Sequence, residues 1–185
     1  MTFRNVASLA LILALVSLGA YWFISRPTVE ERALMDFFKE FRGGRYDDAQ
    51  EYTAGDDFYE MAASSSVRDN DGTEYLIGDY FPPSRKGILR ASIETYVRMH
   101  IARWKYLSME TQRVEEGYSA VHFRMDIGIR EFTPASALTG IVHEGRVEGT
   151  AHMILEDGRW VVRNFEFSIF SDEGLNLSTY LERAI

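Results

Sequence analysis

Nineteen consecutive residues without a charge, Val6 to Ile24 (VASLALILALVSLGAYWFI), follow a five-residue start. That length is close to the roughly 20 residues that cross a ~30 Å hydrocarbon core as a helix. Tyr21, Trp22 and Phe23 cluster at one end, where amphipathic rings favour the headgroup level, and Arg4 and Arg26 bracket the run. A soluble helix is seldom apolar all round at an extreme terminus. The run therefore reads as a single transmembrane anchor, with Val6, Leu9, Leu13, Val16, Trp22 and Phe23 among its anchoring residues. Ala7, Ala10 and Ala14 fall on one side at spacings of three and four and Ser17 continues it, which lets another helix approach closely; alanine's abundance in such helices explains the same pattern equally well.

The rival reading is a secretory signal peptide cut after Ser17-Leu18-Gly19, giving a secreted protein. Cleavage there leaves a new terminus beginning Ala-Tyr-Trp-Phe-Ile, which is awkward in water, so the retained anchor is preferred. Short basic N-termini usually stay in the cytoplasm, which places the main domain across a bacterial-type plasma membrane, on the periplasmic side. The chain divides into a stub and anchor, 1–26, and an extramembrane domain, 27–185.

The whole chain carries 20 Lys plus Arg against 28 Asp plus Glu. Taking away residues 1–26 removes two arginines and no acids, leaving 18 basic against 28 acidic residues and a formal charge of −10. Such a domain lacks the basic footprint that neutralises phosphates, which argues against nucleic acid, and it is not drawn to anionic lipid. There is no cysteine, so a lipoprotein anchor and a disulfide scaffold are excluded.

Thr28 and Glu31 have the spacing of a capping box ahead of a helix whose apolar face is Leu34, Phe37, Phe38 and Phe41, closed by Gly43-Gly44. Tyr46 to Tyr52 reads as a second short helix that Phe58, Met61 and Ala62 extend or follow. Residues 55–83, with seven acids against Arg68, read mostly as surface loop with a short strand at Tyr75 to Phe81. Ser84 opens a third helix through about Arg98. The period then changes to two in four runs, Tyr106–Val114, Tyr118–Phe132, Glu144–Leu155 and Arg159–Phe170, and Asp157-Gly158 is a strong hairpin signal. The tail from Asp172 to Ile185 fits a short amphipathic helix. The expected fold is α+β: an N-terminal transmembrane helix followed by a curved antiparallel sheet covered on one face by about three helices.

Two short helices carrying FFKEFRGGRYDDAQEYT, a third helix, and long strands closing with LEDGRWVVRNFEF resemble the nuclear transport factor two-like, cone-shaped α+β superfamily, to which ketosteroid isomerase belongs. With one membrane helix in front, the organisation is similar to the type IV secretion inner-membrane scaffold proteins. The resemblance implies the fold, and it leaves open enzymes, carriers and scaffolds alike.

The chemistry visible in the chain is sparse. The ketosteroid isomerase branch uses an Asp base and a Tyr/acid oxyanion site inside the cone. Here Val121, Phe123, Met125, Ile127 and Ile129 alternate with His122, Arg124, Asp126 and Arg130, so the polar set belongs on the outer, solvated face. Glu148, Thr150 and His152 form a similar stripe; His122, His152 and Asp126 lack metal-ligand spacing, and His100 and His143 have no partner in the sequence. Asp69 to Glu74 fails the calcium-loop pattern at both ends, and no P-loop, nucleophile elbow, zinc pattern or dinucleotide fingerprint occurs. No catalytic, cofactor or metal residue is assigned. The expectation is a non-catalytic accessory or assembly subunit of an integral membrane complex, with the segment Tyr80, Phe81, Pro82 and Pro83 as an exposed partner contact. Two alternatives remain: a carrier with an empty apolar cavity, or an isomerase or hydratase using a buried acid among Asp56, Asp57, Asp79 and Asp126 beside a tyrosine.

Overall fold

In the computed structural model, residues 26–55, 57–68, 72–130 and 142–171 are described. The anchor residues Val6, Leu9, Leu13, Val16, Trp22 and Phe23, the contact residues Ala7, Ala10, Ala14 and Ser17, and the tail helix at 172–185 lie outside them. Among the described residues no helix is long and apolar enough to cross a membrane.

The first helix, α1 (Val29–Arg42), forms where the capping box stands. Thr28 Oγ1 accepts from Glu31 N at 3.1 Å, and Glu31 Oε2 accepts from Thr28 N at 3.0 Å, so two orphan donors are satisfied at once. Its face of Leu34, Phe37 and Phe38 is buried, and Gly44 takes the left-handed conformation (φ 72°) that lets the chain turn away. Two short helices follow, α2 (Tyr46–Gln50) and α3 (Phe58–Ala63), the latter capped by the Asp57 carboxylate on Tyr59 N at 3.0 Å.

Residues 55–83 depart from the expected loop. They hold α3, strand β1 (Ser66–Arg68), strand β2 (Glu74–Leu76) and helix α4 (Ile77–Tyr80), before a 3₁₀ turn at Pro83–Arg85 leads into α5 (Lys86–His100). Phe81, expected in an exposed contact, is 2% exposed and belongs to the core. Tyr59 explains the inversion: its hydroxyl donates to the Phe81 carbonyl at 2.8 Å, so the chain enters the core at Phe81 and leaves Pro82 and Pro83 outside.

Four long strands complete the chain: β3 (Ile101–Glu115), β4 (Tyr118–Arg130), β5 (Val142–Glu156) and β6 (Arg159–Ser171). They pair in antiparallel succession, and Asp157 (φ 49°) with Gly158 (φ 77°) makes the β5–β6 turn of the type that matches strand twist. The sheet is mixed, not wholly antiparallel as expected, and its order is β2-β1-β6-β5-β4-β3. β1 runs parallel to β6, with Val67 opposite Phe167. Side-chain hydrogen bonds secure that junction: Ser65 Oγ accepts from Phe165 N at 2.9 Å, and Asn164 Nδ2 donates to the Ser64 carbonyl at 3.1 Å.

The core lies between the helices and the apolar face of the sheet, where Phe37, Phe38, Phe123 and Phe165 form a contiguous ring cluster with Trp104 and Tyr106 at its side. Gly149 sits beneath it. A Cβ there would lie 2.7 Å from the Glu166 carbonyl oxygen and 2.8 Å from Phe123 Cζ, so the absence of a side chain lets the rings close over the strand.

Candidate functional site

The register places the polar residues of the sheet in rows. Glu110, His122, Thr150, Glu166 and Ser66 stand opposite one another across β3, β4, β5, β6 and β1. The next row, Ser108, Arg124, Glu148, Ser168, Arg68 and Glu74, crosses all six strands. Both rows lie on the face away from the helices, as alternation predicts. Together they line a shallow trough of about 510 Å³.

Charges in this trough are largely matched within it. Arg124 Nε lies 2.8 Å from Glu148 Oε1, and Arg68 Nη2 lies 3.3 Å from Glu74 Oε2. Ser66 and Arg68 hold the Glu74 carboxyl below its usual range. Outside the trough, Arg146 pairs with Asp126 at 3.3 Å. The result is a mosaic of exposed ion pairs, each of little worth to stability.

His122 and His152 share this face, but they turn to different partners. His122 Nδ1 meets Thr150 Oγ1 at 2.9 Å and its Nε2 meets Gln112 Oε1 at 3.4 Å. His152 is the centre of a chain in which the Tyr118 hydroxyl donates to Nδ1 at 2.6 Å and Nε2 donates to Glu166 Oε1 at 3.0 Å. One tautomer satisfies both bonds, and the Tyr118 and His152 rings lie nearly parallel with centroids 6.0 Å apart. Sequence reasoning found His152 but missed Tyr118 and Glu166, because their meeting depends on the register of three strands. Among the described residues no group of three or more acids and histidines is placed to hold a metal ion.

Among the described residues, the aromatic cluster is packed by Leu34, Met125 and Met153, with the Tyr106 ring at its side. Of the acids an enzyme reading needs, Asp57 pairs with Lys86, Asp79 is exposed, Asp126 is on the outer face, and Asp56 lies outside the described residues. The buried acid is one the sequence reading passed over. Glu30, in the first turn of α1, is 0% exposed; Arg113 Nε lies 3.3 Å from its Oε1, Ser119 Oγ lies 3.5 Å away, and its Oε2 has no partner. An acid at that position reads from sequence as complementing the helix dipole, which gives no sign of burial. A second concavity of about 290 Å³ lies outside the cone, where Arg90 bridges Asp47 and Glu94 at 2.7 Å each.

A helix-covered, curved mixed sheet closing on aromatic packing is the cone-shaped α+β fold that the order of elements anticipates. Among solved structures the chain is similar to a ketosteroid isomerase-like protein from Erwinia carotovora atroseptica SCRI1043, with 11% sequence identity, 76% of this chain and 93% of that chain covered, and a TM-score of 0.51. It is also similar to an uncharacterised protein with a cystatin-like fold from Caulobacter vibrioides (12% identity, 82% and 94% covered, TM-score 0.47) and to the association domain of C. elegans CaMKII (11% identity, 74% and 90% covered, TM-score 0.48). The sequence matches no family model and no curated protein. The first likeness establishes the fold, nuclear transport factor two-like in architecture, and the fold alone.

Proposed function

We propose that this chain is a membrane-tethered, non-catalytic accessory or assembly module, held by its N-terminal apolar segment and working through its surface. The observation that carries the reading is the aromatic packing of the described residues inside the cone. An isomerase or hydratase needs an acid beside a tyrosine there and a carrier an empty apolar cavity; among the described residues the interior is packed with Phe37, Phe38, Phe123, Phe165 and Met153. Both concavities of note among the described residues lie outside it. The apolar run from Val6 to Ile24 supplies the tether, and the domain's charge of −10 gives it no reason to sit on anionic lipid without one. In this reading the organisation is similar to that of the secretion-system scaffold proteins, with the domain on the periplasmic side.

The test is a mild-detergent purification of the full-length chain with mass spectrometry, beside a form lacking residues 1–26. Stable integral membrane partners with the full-length chain only are expected. A chain that purifies alone and monomeric in both forms refutes the reading.

A further inference from the structure

β3 is last in the sheet order, and among the described residues no other segment reaches its far side with a backbone hydrogen bond. One bond fixes which residues turn their amides and carbonyls that way. Leu155 N donates to the Gly117 carbonyl at 2.9 Å, and β4 pairs with β5 without a register shift from Tyr118 to Arg130. Bonding direction alternates along an antiparallel strand, so the odd-numbered residues of β4 bond to β5 and the even-numbered ones to β3. Opposite those even-numbered residues stand Gln112, Glu110 and Ser108 and, past the bulge between Tyr106 and Ser108, Lys105 and Arg103. These five turn inward to β4. Thr111 and Met109 on one side of the bulge, and Tyr106 and Trp104 on the other, turn outward to the open edge.

Such an edge is a template for another strand unless charges or bulges spoil it. Here both features select one partner. Because the bulge shifts the phase, two copies of β3 can pair antiparallel with Tyr106 opposite Met109 and Trp104 opposite Thr111, each pair made twice about a two-fold axis. The extra residue of one strand is then matched by that of the other, and Leu107, 40% exposed, stands beside the axis. The same register sets Lys105 opposite Glu110. Both are exposed, both lie on the sheet face away from the helices, opposite Asp126 and His122, and neither has an ion-pair partner among the described residues. As a non-hydrogen-bonded pair their Cα atoms approach to about 4.5 Å, and the attraction is made twice. A slip of one residue exchanges the faces, and a slip of two leaves Lys105 opposite Ser108 or Gln112.

The other charges along this edge do not disturb the match. Arg103 pairs with Glu144 and Arg113 with the buried Glu30, while Glu115 lies past the paired segment. On the helix face α1 brings Glu31, bonded to Thr111, and the exposed Arg32, Asp36, Lys39 and Arg42, a mixture of both signs. We propose that the β3 edge is a self-association surface, on which a second copy of this chain pairs about a two-fold axis at Leu107 and Ser108 and joins the two sheets into one. Backbone hydrogen bonds from Trp104, Tyr106, Met109 and Thr111 supply the attachment, and the reciprocal Lys105 and Glu110 pairs set the register. The inference goes beyond the tethered-module reading and rests on the described residues alone.

Sedimentation of the full-length chain in a density-matched mild detergent reads the association. A dimer is expected at micromolar concentration, and a monomer up to about 100 μM overturns the inference, whether the edge then stays bare or takes the strand of another protein. Lys105→Glu or Glu110→Lys alone sets like charges opposite each other twice and is expected to weaken the dimer about tenfold, while the two together restore it. Unchanged association in the single variants, or no recovery in the double one, overturns the pairing. The chain has no cysteine, so the register is read by introduced pairs. Oxidation is expected to link Lys105→Cys with Glu110→Cys between copies, since five strand steps, roughly 17 Å, forbid the bond within one chain. Lys105→Cys with Gln112→Cys is expected to link several-fold less, and equal or stronger linking there overturns the register. All three positions are exposed, and near-ultraviolet circular dichroism checks that each variant keeps the native packing.

Discussion

Replacing Phe38 by alanine tests the aromatic packing inside the cone directly. The side chain is 7% exposed, and its ring lies within 5.4–6.2 Å, centroid to centroid, of Phe37, Trp104, Tyr106, Phe123 and Phe165. Burial of such a ring contributes about 2–3 kcal/mol by transfer from water, and the void left among five rigid neighbours adds a further cost, for a total of about 3–5 kcal/mol. Against a domain stability of about 5–15 kcal/mol this is a large fraction. Urea unfolding of a form lacking residues 1–26, followed by near-ultraviolet circular dichroism, reads it. With a slope of about 2 kcal/mol/M the midpoint falls by about 2 M. Phe38→Leu, which keeps most of the volume, is expected to cost under about 1.5 kcal/mol. A loss below about 1 kcal/mol for Phe38→Ala refutes the reasoning, since it means the ring borders empty space and the cone has a cavity after all.

Gly149→Ala is expected to destabilise by about 1–3 kcal/mol in the same assay, because the added Cβ meets the Glu166 carbonyl and Phe123 at under 3 Å; an unchanged midpoint contradicts the close approach. Thr28→Ala removes one half of the capping box and the link to Thr111, and is expected to cost about 1 kcal/mol, with amide exchange rising first in the opening turn of α1. Burial pushes the Tyr106 phenol up to about 12, with Arg42 opposing and Asp36 adding to the shift. An unfolded tyrosine titrates near 10, so the native state holds this proton more tightly. The contribution, about 2–3 kcal/mol, is fully present below pH ~10 and is lost as pH rises through ~12. Tyr106→Phe should flatten the fall in urea midpoint across that window, and an identical slope in both proteins counts against it.

The four long strands and the first helix were legible because each carries its own period and its own punctuation: Asp157-Gly158 for one hairpin, Thr28 and Glu31 for the cap. Strands of three residues offer no period to read, so Ser66–Arg68 and Glu74–Leu76 were hidden in an acidic stretch whose composition speaks for a loop. Their place is decided by pairing with residues about a hundred positions away, as at Ser65 and Phe165. Alternation assigned His122 and Arg124 to the right face, yet it cannot tell which residue stands opposite which. That is why the chain from Tyr118 through His152 to Glu166, and the rows of the trough, emerged only with the register. Phe81 went astray for a local reason: two prolines after an aromatic pair suggest an exposed turn, and only the Tyr59 hydroxyl reveals the inward step.

The parallel pairing of β1 with β6 also has a consequence in time. The helices leave the ribosome first, but the surface they need arrives last: Ser65 waits for Phe165, and Leu34 and Phe38 wait for strands that begin only at Ile101. At roughly 5–20 residues per second, a hundred residues take about 5–20 s to make. For that interval the nascent chain displays a phenylalanine-rich helix covered only by the short helices that follow it, a natural ligand for a holding chaperone. The sheet's β1–β2 edge can be added only after β6 is complete, so the order of synthesis makes that strand the step that joins the early and late parts of the sheet.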